Sequence, residues 1–252
     1  MSQWTSPDER QPTQVAQIRQ SLQEQIRAGL LRPGMRLPSE RALSERFATT
    51  RITLKEALAV LETEGQIYRE ERRGWFVAPP RLIYDPRTKS HFQAMVESQG
   101  RAATTRVLQA GPVVANAELC QRMGLAPLSP LLKICRVRSL DSRDVLYVEH
   151  YLLPERFPGL LETDLTCSLT RLYAERYGIG YGQSTFDILP TAAHGAVARA
   201  LGLPQGAPLL QICRLNWDER GRLIDCDMEY WRQDAVVIRI QSDPLPQDSA
   251  LS

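Results

Sequence analysis

The stretch Thr50-Arg-Ile-Thr-Leu-Lys-Glu-Ala-Leu-Ala-Val-Leu-Glu-Thr-Glu-Gly65 decides the fold of the first third of the chain. Leu54, Ala57, Leu58 and Leu61 recur at helical spacing and line one side, Thr50 is placed to cap the first turn, and Gly65 closes the last. A stripe of that kind is consumed by a core, which leaves Arg51, Thr53 and Lys55 facing outward in the first turns. Upstream, Ala48-Thr-Thr50 is a short turn, and Ser39 caps a second helix that runs to about Phe47, with Glu40 in its first turn. Before it, Leu31-Arg-Pro-Gly-Met-Arg-Leu-Pro38 holds two prolines and a glycine and reads as an extended connector. A first helix begins after Thr13, carries Val15, Ile18, Leu22 and Ile26 as its stripe, and ends at Gly29. Downstream of Gly65, residues 66–69 and 74–77 read as extended runs around the charged tip Glu70-Glu-Arg-Arg73. Helix, short helix, turn, longer helix and hairpin make a winged helix-turn-helix over residues 13–78, preceded by a flexible arm, 1–12.

A duplex is read by a helix in the major groove whose first turn meets base edges while flanking groups hold phosphates. Arg51 suits a bidentate contact to guanine or a phosphate pair, and Lys55 a phosphate. Arg41, with the Ser39 and Glu40 region, suits the backbone, and Arg72 and Arg73 at the hairpin tip suit the minor groove or its phosphates. Taken singly each is an ordinary surface charge. Their joint placement on helix two, helix three and the wing favours DNA.

The prolines of Ala78-Pro-Pro-Arg-Leu-Ile-Tyr-Asp-Pro86 mark a linker at 79–88. Beyond it, 89–99 looks helical up to Gly100, and the remainder contains a duplication at an offset of 78 residues. Gly124-Leu125 recurs as Gly202-Leu203, and Pro130-Leu-Leu-Lys-Ile-Cys-Arg136 as Pro208-Leu-Leu-Gln-Ile-Cys-Arg214. Under that offset Arg138 meets Asn216 and Glu149 meets Asp227. Each copy reads as helix, strand, polar turn, strand, and two copies pair most simply into an antiparallel sheet with helices against it. The expected fold class is therefore α+β: an N-terminal winged helix-turn-helix and a C-terminal antiparallel-sheet domain, 89–242, with pseudo-twofold symmetry. Residues 243–252, with Pro244 and Pro246, are expected to be a disordered tail.

On a strand, Ile134, Arg136 and Arg138 share a face. Two guanidinium groups side by side suit a phosphate, phosphonate or carboxylate. Asp225, Asp227 and Glu229 share a face of another strand, where they repel unless solvated or met by a cation. Cys167-Ser-Leu-Thr170 and Ser90-His91-Phe92 offer hydroxyls and free backbone N–H groups for an anion. Other readings stay open at this point. Arg136 and Arg138 equally suit salt bridges to Asp225, Asp227 or Glu149, the acidic strand suits an exposed edge, and Ser168 and Thr170 suit plain caps.

The charge balance, 31 Lys+Arg against 29 Asp+Glu in 252 residues, excludes a strongly basic protein. Residues 1–80 carry 12 basic and 10 acidic residues, so DNA contact rests on placement of charge and not on its amount. Five widely spaced cysteines and three histidines form no ligand pattern, so neither a metal site nor a cofactor is expected. The first residues lack the layout of a signal peptide and no apolar run is long enough to span a bilayer, so a cytoplasmic protein is expected, without membrane association.

Leu37-Pro-Ser-Glu-Arg41, Thr50-Arg51-x-Thr53-x-Lys55-x-Ala57-Leu58 and Leu61-Glu62-x-Glu64-Gly65 resemble the signature of the GntR family of bacterial transcription regulators. In that family the positions matching Arg41, Thr50, Arg51, Thr53, Lys55 and the wing tip, here Arg72, Arg73 and Gly74, touch operator DNA. Two departures stand out: Lys55 replaces an arginine that could form a planar fork, and Arg72-Arg73-Gly74-Trp75 replaces a Gly-x-Gly-Thr wing. From residue 89 to about 240 the chain resembles the effector-binding UTRA domain of the HutC subgroup, whose fold is that of chorismate lyase. That resemblance implies effector contacts at His91, Arg136, Arg138, Glu149, Ser168, Thr170, Asp225 and Trp231, to which the acidic strand adds Asp227. Within the family, Arg72-Arg-Gly-Trp-Phe-Val77, Ser98-Gln-Gly-Arg101 and Glu229-Tyr-Trp-Arg232 are similar to regulators of 2-aminoethylphosphonate utilisation. That implies a phosphonate on the arginines and an ammonium on the acidic strand, while a phosphosugar or an amino acid satisfies much of the same chemistry. The expected protein is a non-enzymatic homodimer, dimerised through its C-terminal domain, on double-stranded operator DNA. The alternative is a chorismate lyase-like enzyme using Arg136, Arg138 and Glu149.

Overall fold

A computed structural model describes residues 12–88 and 91–241, and the chain divides into two units at Pro80 and Arg81. In the first, α1 (Gln14–Arg27) is capped by Thr13, α2 (Glu40–Arg46) by Ser39 and α3 (Arg51–Thr63) by Thr50. Each cap oxygen accepts a backbone N–H at 3.2 Å. Leu54, Ala57, Leu58 and Leu61 of α3 are completely buried and pack with Ile18, Leu22, Leu43 and Ile67. Each buried leucine contributes about 1.5–3 kcal/mol, so α3 is fixed by its inner face and its outer face is free to vary. Strands β1 (Ile67–Glu70) and β2 (Gly74–Val77) form the antiparallel hairpin, whose turn puts Arg72 in the left-handed region at φ +61°.

The stretch expected to be a linker is in part a strand. β3 (Leu82–Tyr84) runs parallel to β10 (Val236–Ile238), because Leu82 and Tyr84 alternate into the core around α4 (Phe92–Glu97). This α4 is shorter than the helix expected over 89–99. The arm up to residue 11 and the tail from 243 lie outside the described residues.

The second unit is built on a six-stranded antiparallel sheet in the order β4-β5-β6-β9-β8-β7. Its strands are β4 (Ala103–Val114), β5 (Pro130–Leu140), β6 (Arg143–Leu152), β7 (Tyr181–Ala192), β8 (Pro208–Asp218) and β9 (Leu223–Arg232). Helices α5 (Ala117–Met123) and α7 (Gly195–Ala200) follow β4 and β7, so each repeat is strand, helix, strand, strand. The leading strand of each copy carries little sequence signal of the repeat, because β4 and β7 keep the 78-residue spacing but share only Pro112 and Pro190. The pseudo-twofold falls between β6 and β9. Alternation splits the sheet cleanly: Val137, Tyr147, Cys213 and Met228 face α5 and α7, whereas Ile134, Leu146, Ile212 and Trp231 face α4 and α6 (Leu169–Tyr177).

Candidate functional site

On the first unit, Arg51 and Lys55 are exposed at the start of α3, and Thr53 is half-buried. The Thr50 hydroxyl caps the helix and lies 3.0 Å from that of Thr53. Ile52 carries no motif signal in the sequence, yet it is 81% exposed beside them. An isoleucine that bare in a helix with a complete core is available to a partner. Among the described residues Arg41 reaches the exposed Glu45, at 3.5 Å. Ser39 is occupied as a cap, and Glu40 accepts the Trp75 indole N–H at 3.0 Å. At the hairpin, Arg73 pairs with Glu70 and lies over Phe76, and Gly74 takes φ +96°.

On the second unit, the sheet face opposite α5 and α7 is hollowed into a cavity of about 530 Å³. His91, Arg136, Arg138, Ser168, Thr170, Asp227 and Trp231 all line it. Asp225 lies behind the wall, completely buried, accepting from Asn216 Nδ2 at 2.5 Å and from the Tyr181 hydroxyl at 3.0 Å.

Glu149 does not join them, which corrects the expectation drawn from resemblance. The second hairpin is one residue longer than the first. Ile134 pairs with His150 and Ile212 with Glu229, so the repeat partner of Glu229 is His150, and Glu149 matches Met228. Glu149 therefore points to the helix side, where it binds Lys133 at 2.7 Å and the hydroxyls of Tyr147 and Tyr151.

The cavity wall is a connected network. Arg136 donates through Nε and Nη2 to His150 Nε2 at 3.1 and 2.9 Å, and through Nη1 to the carbonyls of Leu165 and Cys167. Because arginine only donates, His150 Nε2 is the acceptor, and its Nδ1–H goes to Asp227 Oδ1 at 2.5 Å. Burial pushes His150 down to about 4, the pull of Asp227 notwithstanding, so the ring is neutral. Arg214 closes on the other carboxylate oxygen of Asp227 at 2.5 Å and approaches Glu229 at 3.6 Å, while the Trp231 indole donates to Glu229 at 2.8 Å. Burial favours the neutral acid at Asp227, but His150 and Arg214 hold it well below the usual carboxylate range. Burial and the charge of Asp227 push Asp225 up to about 8, so it is protonated at neutral pH.

The acids expected to be solvated or open to a cation are thus already met. Arg214 is the repeat of Arg136 and Asn216 that of Arg138, whereas His150 carries no sequence signal, since its partners Arg136 and Asp227 lie on neighbouring strands. Ser184 and Tyr181, on a strand the repeat did not reveal, also belong to the wall. Arg138 remains. It forms no hydrogen bond or ion pair among the described residues, and its Nε is buried without a partner. Its guanidinium lies 5.0 Å from the Phe92 ring, and desolvation followed by repulsion from Arg136 pushes it down to about 9.

A winged helix-turn-helix joined to a separate unit with a preorganised polar cavity is the build of a ligand-responsive transcription regulator. Residues 14–77 match the model of the bacterial regulatory proteins of the gntR family, and residues 98–236 match the UTRA domain. The chain is 31% identical over 223 residues to the HTH-type transcriptional regulator YihL of Escherichia coli (strain K12), covering 88% of this chain and 94% of that protein. It is also 31% identical over 219 residues to the HTH-type transcriptional repressor NagR of Bacillus subtilis (strain 168), covering 86% and 90%. The crystal structure of PhnF from Mycobacterium smegmatis shares the fold, with a TM-score of 0.62 at 24% identity over 90% of this chain and 99% of that one. The chain belongs to the gntR family of bacterial regulatory proteins and carries a UTRA domain. Among the described residues no helix is long and apolar enough to cross a membrane.

Proposed function

We propose that this regulator binds a two-half-site operator as a homodimer and releases or rearranges on it when a small anion occupies the cavity. Arg51, Thr53 and Lys55, supported by Arg41, Thr50, Arg72 and Arg73, are the DNA-facing set, and Arg138 is the anion seat. The observation that carries the effector assignment is the unpaired guanidinium of Arg138. On the sheet, three guanidinium groups face the carboxylates of Asp227 and Glu229, and Arg138 is the one left over. Four of the five N–H groups of Arg136 are already spent on His150, Leu165 and Cys167, so Arg136 shapes the seat more than it fills it. His91, Ser168 and Thr170 line the same cavity and supply further polar atoms to the anion.

A phosphonate, phosphate or carboxylate on Arg138 would replace a desolvated, unmet cation by a charge-assisted pair. 2-Aminoethylphosphonate fits this at its phosphonate end, while its ammonium would compete with Arg214 for Asp227 and Glu229. A phosphosugar meets a neutral hydrogen-bonding rim at Ser184, Asn216 and Tyr181. The relatives named as regulators favour this reading over a lyase. Thermal unfolding with 2-aminoethylphosphonate, unsubstituted phosphonates, phosphosugars and amino acids tests it. A true effector at a hundred times its Kd adds about 2.7 kcal/mol, and Arg138→Gln should abolish the shift. An anion that stabilises Arg138→Gln as well as the native chain would overturn the seat. Arg51→Ala should cost operator affinity and leave that thermal shift intact.

A further inference from the structure

We infer that the concave surface between the hairpin and residues 36–41 is a seat for the DNA backbone, contacted by Arg36 and Arg69, and that Glu40 serves it as a positioning residue through Trp75 without reading a base. Neither arginine belongs to the helix-turn-helix. The hollow is about 430 Å³, and six cations line it: Arg36, Arg41, Arg51, Lys55, Arg69 and Arg72. The two acids in its wall are both committed. Glu70 pairs with Arg73, and Glu40 Oε1 accepts the indole N–H of Trp75 at 3.0 Å. Six cations thus outnumber two carboxylates, of which Glu70 is neutralised by Arg73 and Glu40 is half-buried with one oxygen on the Trp75 N–H, so the hollow is net positive.

The walls are wired together through the main chain. Leu37 N–H donates to the Trp75 carbonyl at 2.8 Å, Val77 N–H to the Met35 carbonyl at 2.9 Å, and Arg36 bridges to Phe76. The Arg36 side chain lies against Gly74, with Nε 3.6 Å from the position a Cβ would take there. Trp75 is 6% exposed, its N–H held by Glu40 and its ring 5.7 Å from the Arg69 guanidinium. The indole thus joins the start of α2 to the root of the wing, and it holds Arg36 and Arg69 in one concavity with the outer face of α3. In a wing that lacks the Gly-x-Gly-Thr form, this strut supplies the fixed geometry.

The inference rests on DNA binding by the N-terminal unit, and its test separates the seat from recognition. Full-length protein is titrated onto its own promoter fragment and onto an unrelated duplex across a salt series. Arg36→Gln and Arg69→Gln should each weaken both duplexes alike, roughly five- to tenfold, and lower the slope of log K against log salt by about 0.9. Unchanged slopes in both variants would refute the seat. Glu40→Gln keeps the acceptor for Trp75, so it should preserve affinity and base preference. Trp75→Phe shrinks a core ring and removes the N–H from Glu40, so it should lower the unfolding temperature and, assayed where it is still folded, weaken both duplexes alike. Native affinity in the folded variant would refute the strut. A changed base preference in Glu40→Gln would show that Glu40 reads the groove and would sink the positioning role. Loss of promoter preference in the native chain would instead count against operator recognition, and the unrelated duplex would still report on the seat.

Discussion

Arg136 and His150 lock one another: the guanidinium gives two N–H groups to Nε2 of the imidazole and thereby forces its remaining proton onto Nδ1, where Asp227 takes it. The histidine is a neutral relay between a cation and a carboxylate, and its protonation would set a new charge against Arg136.

Acid should therefore unlock the cavity before it unfolds the rest. The folded value of His150, about 4, lies below its ordinary value of 6.5. Between those two values the unfolded chain binds the extra proton, so stability falls as pH drops through that window, by roughly 2–4 kcal/mol at its lower end. Melting curves from pH 7 to 4 should show a steeper decline for the native chain than for His150→Gln, and parallel declines would contradict the relay.

Asp225 gives the opposite slope. Its folded value of about 8 stands above the ordinary 3.8, so the folded state holds a proton that the unfolded chain has released, and stability falls as pH rises from about 4 to 8. Asp225→Asn keeps partners for Asn216 and Tyr181 without that cost. It should raise stability at pH 8 by on the order of 1 kcal/mol or more and flatten the alkaline arm. A destabilised variant at pH 8 would mean the carboxyl is ionised in the fold.

Ile52 should contribute to specificity and nothing to folding. Ile52→Ala is expected to leave the unfolding temperature unchanged and to cost on the order of 1 kcal/mol of discrimination at one thymine, whose methyl is its natural apolar partner. Competition binding against single-base operator variants measures this, and equal losses at every position would exclude a base contact.

Gly182 is required by a close approach. A Cβ there would sit 2.6 Å from the Asp218 carbonyl oxygen, where β7 crosses the turn after β8. Gly182→Ala should destabilise the second unit by roughly 1–3 kcal/mol and distort the Tyr181 and Ser184 side of the cavity. Denaturant unfolding with and without an effector would detect both effects.

The sequence made the helix-turn-helix legible because its signals are local: caps at Thr13, Ser39 and Thr50, and a core stripe on α3. The duplication exposed the sheet, since Pro130-Leu-Leu and Pro208-Leu-Leu start equivalent strands. What stayed hidden depends on pairing. The face on which Glu149 lies follows from a one-residue difference between two hairpins, which a fixed offset cannot detect. The role of His150 follows from Arg136 across one strand boundary and Asp227 across another, and no spacing in the chain announces it. Tyr84 and Thr88 line the cavity although they fall in a proline-rich stretch, because β3 is recruited by a strand more than 150 residues later.

That recruitment has an engineering consequence. Leu82 and Val236 are partners in register, so the first and the last described strands of the second unit lie side by side. A module whose two ends are adjacent can be spliced into a loop of an unrelated host, or given a different reader at its front, without cutting the sheet that carries the cavity.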